Sequence, residues 1–186
     1  MQISPQGSTA GTAGWEVPLE MLAACHARMQ QQFELLQRLL QHLQEHGADS
    51  QASEACERIQ RYFETAARDH HQDEEQDLLP ALLEAMAGSD AVCIRDIIAR
   101  LGAEHRVLEQ RWLALRESLQ AVQAGDASAL QPQQVQAFVA AYRQHIDYEQ
   151  AEVLPMAERL LDDEQLQRIG RAMRLRRGAA EPPPAR

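Results

Sequence analysis

Aromatic residues are scarce in this chain, 4% of 186 residues, and there is no long run rich in Val, Ile and Thr. Strands draw on those residue types, so the shortage argues against a β-sandwich or barrel. Ala, Leu, Gln, Glu and Arg dominate instead, which favours helices. No stretch of about 20 apolar residues exists, so nothing is expected to span a membrane. The three cysteines, Cys25, Cys56 and Cys93, show no C-x-x-C spacing. They read as reduced thiols in a cytoplasm rather than as a disulfide framework or zinc ribbon. Lys+Arg number 18 against 28 Asp+Glu, a net charge of -10, which disfavours nucleic acid as a partner. The start, Met1 to Gly14, has neither a cationic segment nor an apolar core and does not read as a signal peptide.

Apolar residues recur at helical spacing from about Val17 to His46 (Leu22, Met29, Phe33, Leu36, Leu40, Leu43). Gly47-Ala48-Asp49-Ser50 breaks this run, with Ser50 or Ser53 as a cap for the next, from Gln51 to Ala87. Gly88-Ser89-Asp90 breaks that one. A third run spans Ala91 to Ala124, Gly125-Asp126 ends it, and a fourth follows Pro132 to about Leu161. Four such runs with short connections predict an all-α fold, an antiparallel up-down-up-down four-helix bundle. A short fifth helix is expected from Asp163 to Arg176. The expected division is a flexible leader over 1–14, the bundle over 15–162, a C-terminal helix over 163–177 and a disordered tail over 178–186.

Two segments 75 residues apart share the pattern H-x3-E-x4-L-P: His70 to Pro80 and His145 to Pro155. Residues i and i+4 lie on one helix face, so His70 with Glu74, and His145 with Glu149, each present an imidazole beside a carboxylate. In an antiparallel hairpin, residues at one height are equidistant from the turn. Midway between His26 and His70 stands Ala48, in the first turn. The His70/Glu74 pair and His105 centre on Gly88-Ser89, and His105 with the His145/Glu149 pair centres on Asp126. One histidine from each helix is therefore expected at a single height, with Glu74 and Glu149 beside them.

Each of these histidines has an aromatic residue seven positions away, about two turns along its own face: Phe33, Phe63, Trp112 and Phe138. They form an expected apolar floor on one side. On the other, Leu22, Leu78, Leu101 and Val153 are expected to shape an apolar pocket for a diatomic molecule. Six such ligands exceed what one tetrahedral zinc takes and suit two octahedral ions, leaving positions for a bridging oxygen, water or an added ligand. Iron ranks ahead of manganese and zinc. His42 and His46 fall away from this height and read as solvent-facing. His71, about 100° round from His70, reads as surface or as an alternative ligand. Pro80 and Pro155 should kink their helices, Tyr142 and Tyr148 could supply hydrogen bonds to the site, and Cys25 reads as packing. The arginines from Arg168 to Arg177 read as a solvated helix end or as a docking strip for an acidic protein partner. No E-x-x-H pair precedes any histidine, which speaks against a ferritin-like oxidase.

The paired motif, with a lone His26 and with Glu104-His105 in the third helix, resembles the hemerythrin family, specifically the bacterial hemerythrin-like HHE cation-binding domains, over about residues 17–160. The resemblance implies a four-helix bundle carrying a non-haem di-iron centre. In it Glu74 and Glu149 would bridge the irons, with His26, His70, His105 and His145 as terminal ligands. Oxygen-carrying members have five histidines, with an H-x3-H pair in the third helix. Here His105 is followed at +4 by Glu109, so His71, Glu104, Glu109 or water would complete one iron. That points away from oxygen carriage and toward binding or sensing of O2 or NO, or handling of iron, by a binding protein more than a turnover enzyme. Iron–sulfur repair and a metal-free structural bundle are the alternatives.

Overall fold

The computed structural model describes residues 17–86 and 91–179, so the expected leader, the Gly88-Ser89-Asp90 turn and most of the expected tail lie outside the described residues. The described residues are helical, with no strand among them, and no described helix is long and apolar enough to cross a membrane. In chain order the α-helices are α1 Pro18–His46, α2 Ser50–Glu64, α3 Ala66–Asp73, α4 Leu79–Ala85, α5 Ala91–Gln123, α6 Pro132–Tyr148, α7 Leu154–Leu160 and α8 Asp163–Arg176. Helix α1 packs against α2 and α6, and α5 packs against the same two.

The boundaries follow local chemistry. Helix α1 stops at Gly47, whose φ of 76° suits a residue without a Cβ. The cap of α2 is Asp49 rather than the expected Ser50 or Ser53. Its carboxylate accepts the Ala52 N–H at 2.9 Å and also meets His42 Nε2 at 2.8 Å, so His42 is partnered rather than simply solvent-facing. The run expected to be continuous from 51 to 87 is interrupted at Thr65. The Thr65 hydroxyl donates to the Arg61 carbonyl four residues back at 2.6 Å, a bond that competes with the helix ladder and separates α2 from α3.

The kink expected at each proline takes the form of a π turn. Glu74–Leu78 and Glu149–Val153 are π-helical, with the Leu79 N–H bonded to the Glu74 carbonyl and the Leu154 N–H to the Glu149 carbonyl, five residues back. Pro80 and Pro155 then occupy the second position of α4 and α7, where a missing N–H costs little. π turns cluster at functional sites, and both of these begin on a motif glutamate.

Two apolar cores flank the motif residues. One holds Phe33, Phe63, Trp112 and Phe138 with Met29, Leu36, Ile59 and Tyr142; the rings of Phe63 and Trp112 stack at 5.0 Å, and Phe63 meets Phe138 edge-on at 5.1 Å. The other holds Leu22, Leu78, Leu101, Val153, Ile169 and Met173, the last two from α8.

The expectation of a solvated arginine strip holds for Arg168 and Arg171 and is corrected for Arg174, Arg176 and Arg177. Arg176 pairs with Asp73 and Asp77, Arg177 with Asp73 and Arg168 with Glu84, while Arg174 is buried; only Arg171 and Leu175 of the segment from Arg171 to Arg177 are fully exposed. Arg168, Arg176 and Arg177 thus help to hold α8 on the rest of the chain, while Arg168 and Arg171 remain exposed. Asp162 caps α8 in a capping box, accepting the Gln165 N–H at 2.8 Å while the Gln165 side chain accepts the Asp162 N–H at 3.0 Å. Asp162→Ala should destabilise the chain by about 1 kcal/mol, read as a thermal midpoint lower by roughly 2–4 °C.

Candidate metal centre

The motif residues meet between the two cores, where solvent is nearly absent: His26, His70, His105, His145, Glu74 and Glu149 are all buried, none more than 5% exposed. They fall into two groups that share both carboxylates. His26, His70, Glu74 and Glu149 form one; Glu74, His105, His145 and Glu149 form the other, and within each group the ligand atoms lie within 4.8 Å of one another. Each carboxylate divides its oxygens between the groups. Glu74 turns Oε1 to His70 Nε2 at 3.1 Å and Oε2 to His105 Nε2 at 3.4 Å. Glu149 turns Oε2 to His26 Nε2 at 3.0 Å and Oε1 to His145 Nε2 at 3.0 Å.

The imidazoles face one another nitrogen to nitrogen. His26 Nε2 and His70 Nε2 are 3.1 Å apart, as are His105 Nε2 and His145 Nε2. Ligands held about 2.1 Å from an ion at right angles stand about 3.0 Å apart, so these separations match the edges of a coordination polyhedron. Glu74 Oε2 and both Glu149 oxygens are buried without an aligned hydrogen-bond partner. Buried polar atoms are normally satisfied, and a cation in each group would satisfy these. The donor set, imidazole with carboxylate, suits a transition metal.

The two groups differ in how their imidazoles are held from behind. His105 Nδ1 meets Glu75 Oε1 at 2.7 Å and His145 Nδ1 meets Glu104 Oε2 at 2.8 Å, contacts that fix which ring nitrogen faces inward. The Nδ1 atoms of His26 and His70 have no such partner. Glu75 is the residue that sequence reasoning missed. It stands in the H-x3-E-E run beside Glu74, and its doubling of the acid was the available signal. Glu104 was weighed as a ligand, but the structure gives it to His145 and to Arg100, whose Nε donates to it at 2.8 Å. Glu109 is exposed and outside both groups.

The charges follow. Burial raises Glu74, the neighbouring Glu149 charge adds to it, and the carboxyl is pushed up to about 7. Burial acts on Glu149 in the same direction, but the imidazoles of His105, His145 and His26 outweigh it and hold that carboxyl well below its usual range. Burial lowers His105 and His145; the acids around them, Glu149 and Glu74 with Glu75 or Glu104, reverse this, taking His105 up to about 10 and His145 above its ordinary value. His70 and His71 are driven well below by burial and by neighbouring imidazoles, which leaves them neutral with free electron pairs.

His71 is half-buried, with its Nε2 buried. Its ring stacks on His105 at 4.1 Å with planes 13° apart and lies nearly parallel to Tyr142 at 5.9 Å. Tyr142 thus serves the site by packing, while Tyr148 lies under the Arg100 guanidinium at 3.4 Å. Cys25 is buried and accepts from Arg28 at 2.9 Å, outside the ligand groups. Leu22, Leu78, Leu101 and Val153 are each 0–1% exposed and packed into the second core. The opening toward the site is a cleft of about 770 Å³ on another side, where Phe63, His71, Glu75, His105, Trp112 and Tyr142 are among the lining residues.

Comparison with known proteins agrees with this geometry. An uncharacterized protein of Haemophilus influenzae is 30% identical over 169 residues, covering 91% of this chain and 95% of that protein. Residues 17–157 match the hemerythrin HHE cation binding domain, and the match includes all six clustered histidines and glutamates. The buried pairing of imidazoles around shared carboxylates is an arrangement that could hold cations, and this chain belongs to the hemerythrin family.

Proposed function

We propose that this chain is a non-haem di-iron protein that binds or senses a small oxidant, O2 or NO, or handles iron. One ion would take His26 and His70, the other His105 and His145, with Glu74 and Glu149 bridging. The observation that carries this reading is the division of each carboxylate's oxygens between two histidine pairs. The helices would run up-down-up-down and antiparallel; the meeting of His26 with His70 and of His105 with His145 supports that course, because each pair is equidistant from its intervening turn. Iron, when bound, would supply redox chemistry and open coordination positions for a diatomic molecule. The chain's own part is to aim the imidazoles inward, to back them with the aromatic core, and to leave access through the cleft beside His105.

Anaerobic loading with ferrous iron tests this. We expect two irons per chain by elemental analysis and a near-ultraviolet charge-transfer band that changes on exposure to air or NO. A chain that takes up no iron is a metal-free structural bundle. The carboxylates behind His105 and His145 add a sharper test: Glu75→Ala and Glu104→Ala should each weaken one ion, and the same one, by about 10–100-fold, leaving the other in place.

A further inference from the structure

The His105/His145 group has a third imidazole within reach. The ligand atoms of His71, His105 and His145 lie within 4.8 Å of one another, and the His71 ring is 5.8 Å from that of His145. The other two candidates for completing this ion are otherwise placed: Glu104 is bonded to His145 and Arg100, and Glu109 is exposed. His71 Nε2 is buried and has no hydrogen-bond partner, which leaves one of its nitrogens unsatisfied beside the site. His71 also lines the cleft together with His105. Opposite ligands of an ion with bonds of about 2.1 Å stand about 4.2 Å apart, and the His71 ring, stacked flat on His105, would have to swing out of that stack to aim a nitrogen at the same ion.

We propose that His71 is a third imidazole ligand of the His105/His145 ion, which makes the two metal positions chemically unequal: three histidines at one and two at the other. This rests on the two-ion reading above. The fifth histidine comes from α3, next to His70, and not from the helix that carries His105. Because His71 lines the cleft, the coordination position it would take faces that opening. Its ring leans flat on His105, so it can swing between stacking there and binding the ion. The more accessible ion would then be the one whose last protein ligand is the easiest to displace, and an incoming molecule would compete with His71 for that position.

Cobalt(II) provides the test, because its visible ligand-field spectrum reports the donor set without any turnover. Metal-free full-length chain is titrated anaerobically with Co(II), and the wild type is compared with His71→Phe and His71→Ala. Phenylalanine keeps a ring to stack on His105 and Tyr142 and has no nitrogen. We expect two Co(II) per wild-type chain, bound in two steps. In both variants one step should weaken by about tenfold or more, with a changed spectrum for that ion alone. Wild-type affinities and spectra in His71→Phe, with losses confined to His71→Ala, would mean that the ring only packs and would overturn the proposal. Failure of the wild type to bind two ions refutes the two-ion reading itself, and is visible before any variant is made.

Discussion

Glu149→Ala is expected to lose half or more of the bound iron while the chain stays helical. Glu149 lies 3.0 Å from His26, 3.0 Å from His145 and 3.9 Å from His105, so it touches imidazoles of both groups. In the two-ion reading each ion loses a ligand and the bridge between them at one stroke. Glutamine in its place retains one oxygen, but its other terminal atom is a donor, which repels a cation. Glu149→Gln should therefore keep the ion on its oxygen side better than the ion on its nitrogen side. Elemental analysis per chain after anaerobic loading, with far-ultraviolet circular dichroism as the check on folding, measures both. Full iron retention in Glu149→Ala would refute the bridging role. The aromatic core on one side and the leucine core on the other remain intact in the variant, which is why helicity should survive.

The second large effect belongs to Asp73, the residue immediately before Glu74. Asp73 is fully buried and receives Arg176 Nη1 on Oδ1 and Arg177 Nη2 on Oδ2 at 2.5 Å. Removing one member of a buried ionic group leaves the others uncompensated, at a cost of about 3 kcal/mol or more. In a chain of this length that lowers the thermal midpoint by roughly 6–12 °C. Asp77, which meets only Arg176 at 2.7 Å and is partly exposed, is the control, and Asp77→Ala should move the midpoint much less. Melting of the metal-free protein checks both. A midpoint for Asp73→Ala within 2 °C of the wild type would mean that the arginine clamp does not hold α8 in place.

The sequence made the six clustered residues legible for a simple reason. Each recurs at a period the helix imposes, and each turn carries a glycine or Asp-Ser signal, so height could be read by counting. The aromatic layer was legible by the same arithmetic. What counting missed were features set by neighbouring helices or by a single residue's backbone. His71 sits about 100° away from His70 and looked outward on its own helix, but α5 brings His105 against that side and α6 brings Tyr142. The arginines of α8 looked solvated because their partners, Asp73, Asp77 and Glu84, lie 84 or more residues earlier. Glu75 was in plain view within the motif, but only the placement of His105 Nδ1 gives it a role. The break at Thr65 depends on one hydroxyl choosing a carbonyl, a choice that no periodicity records.

The twin π turns have a consequence for the spacing of the motif. A turn closed five residues back, rather than four, advances the chain by one extra residue and rotates everything beyond it by about 100° relative to an uninterrupted α-helix. The faces of α4 and α7 that bury Leu79, Leu82, Leu154 and Ala157 are aligned with the core only after that rotation. Five residues separate each glutamate from its proline, and shortening that interval by one would turn those side chains toward water while leaving the upstream histidine where it is. Coordination and packing are thereby geared to each other through a single peptide unit in each half of the molecule.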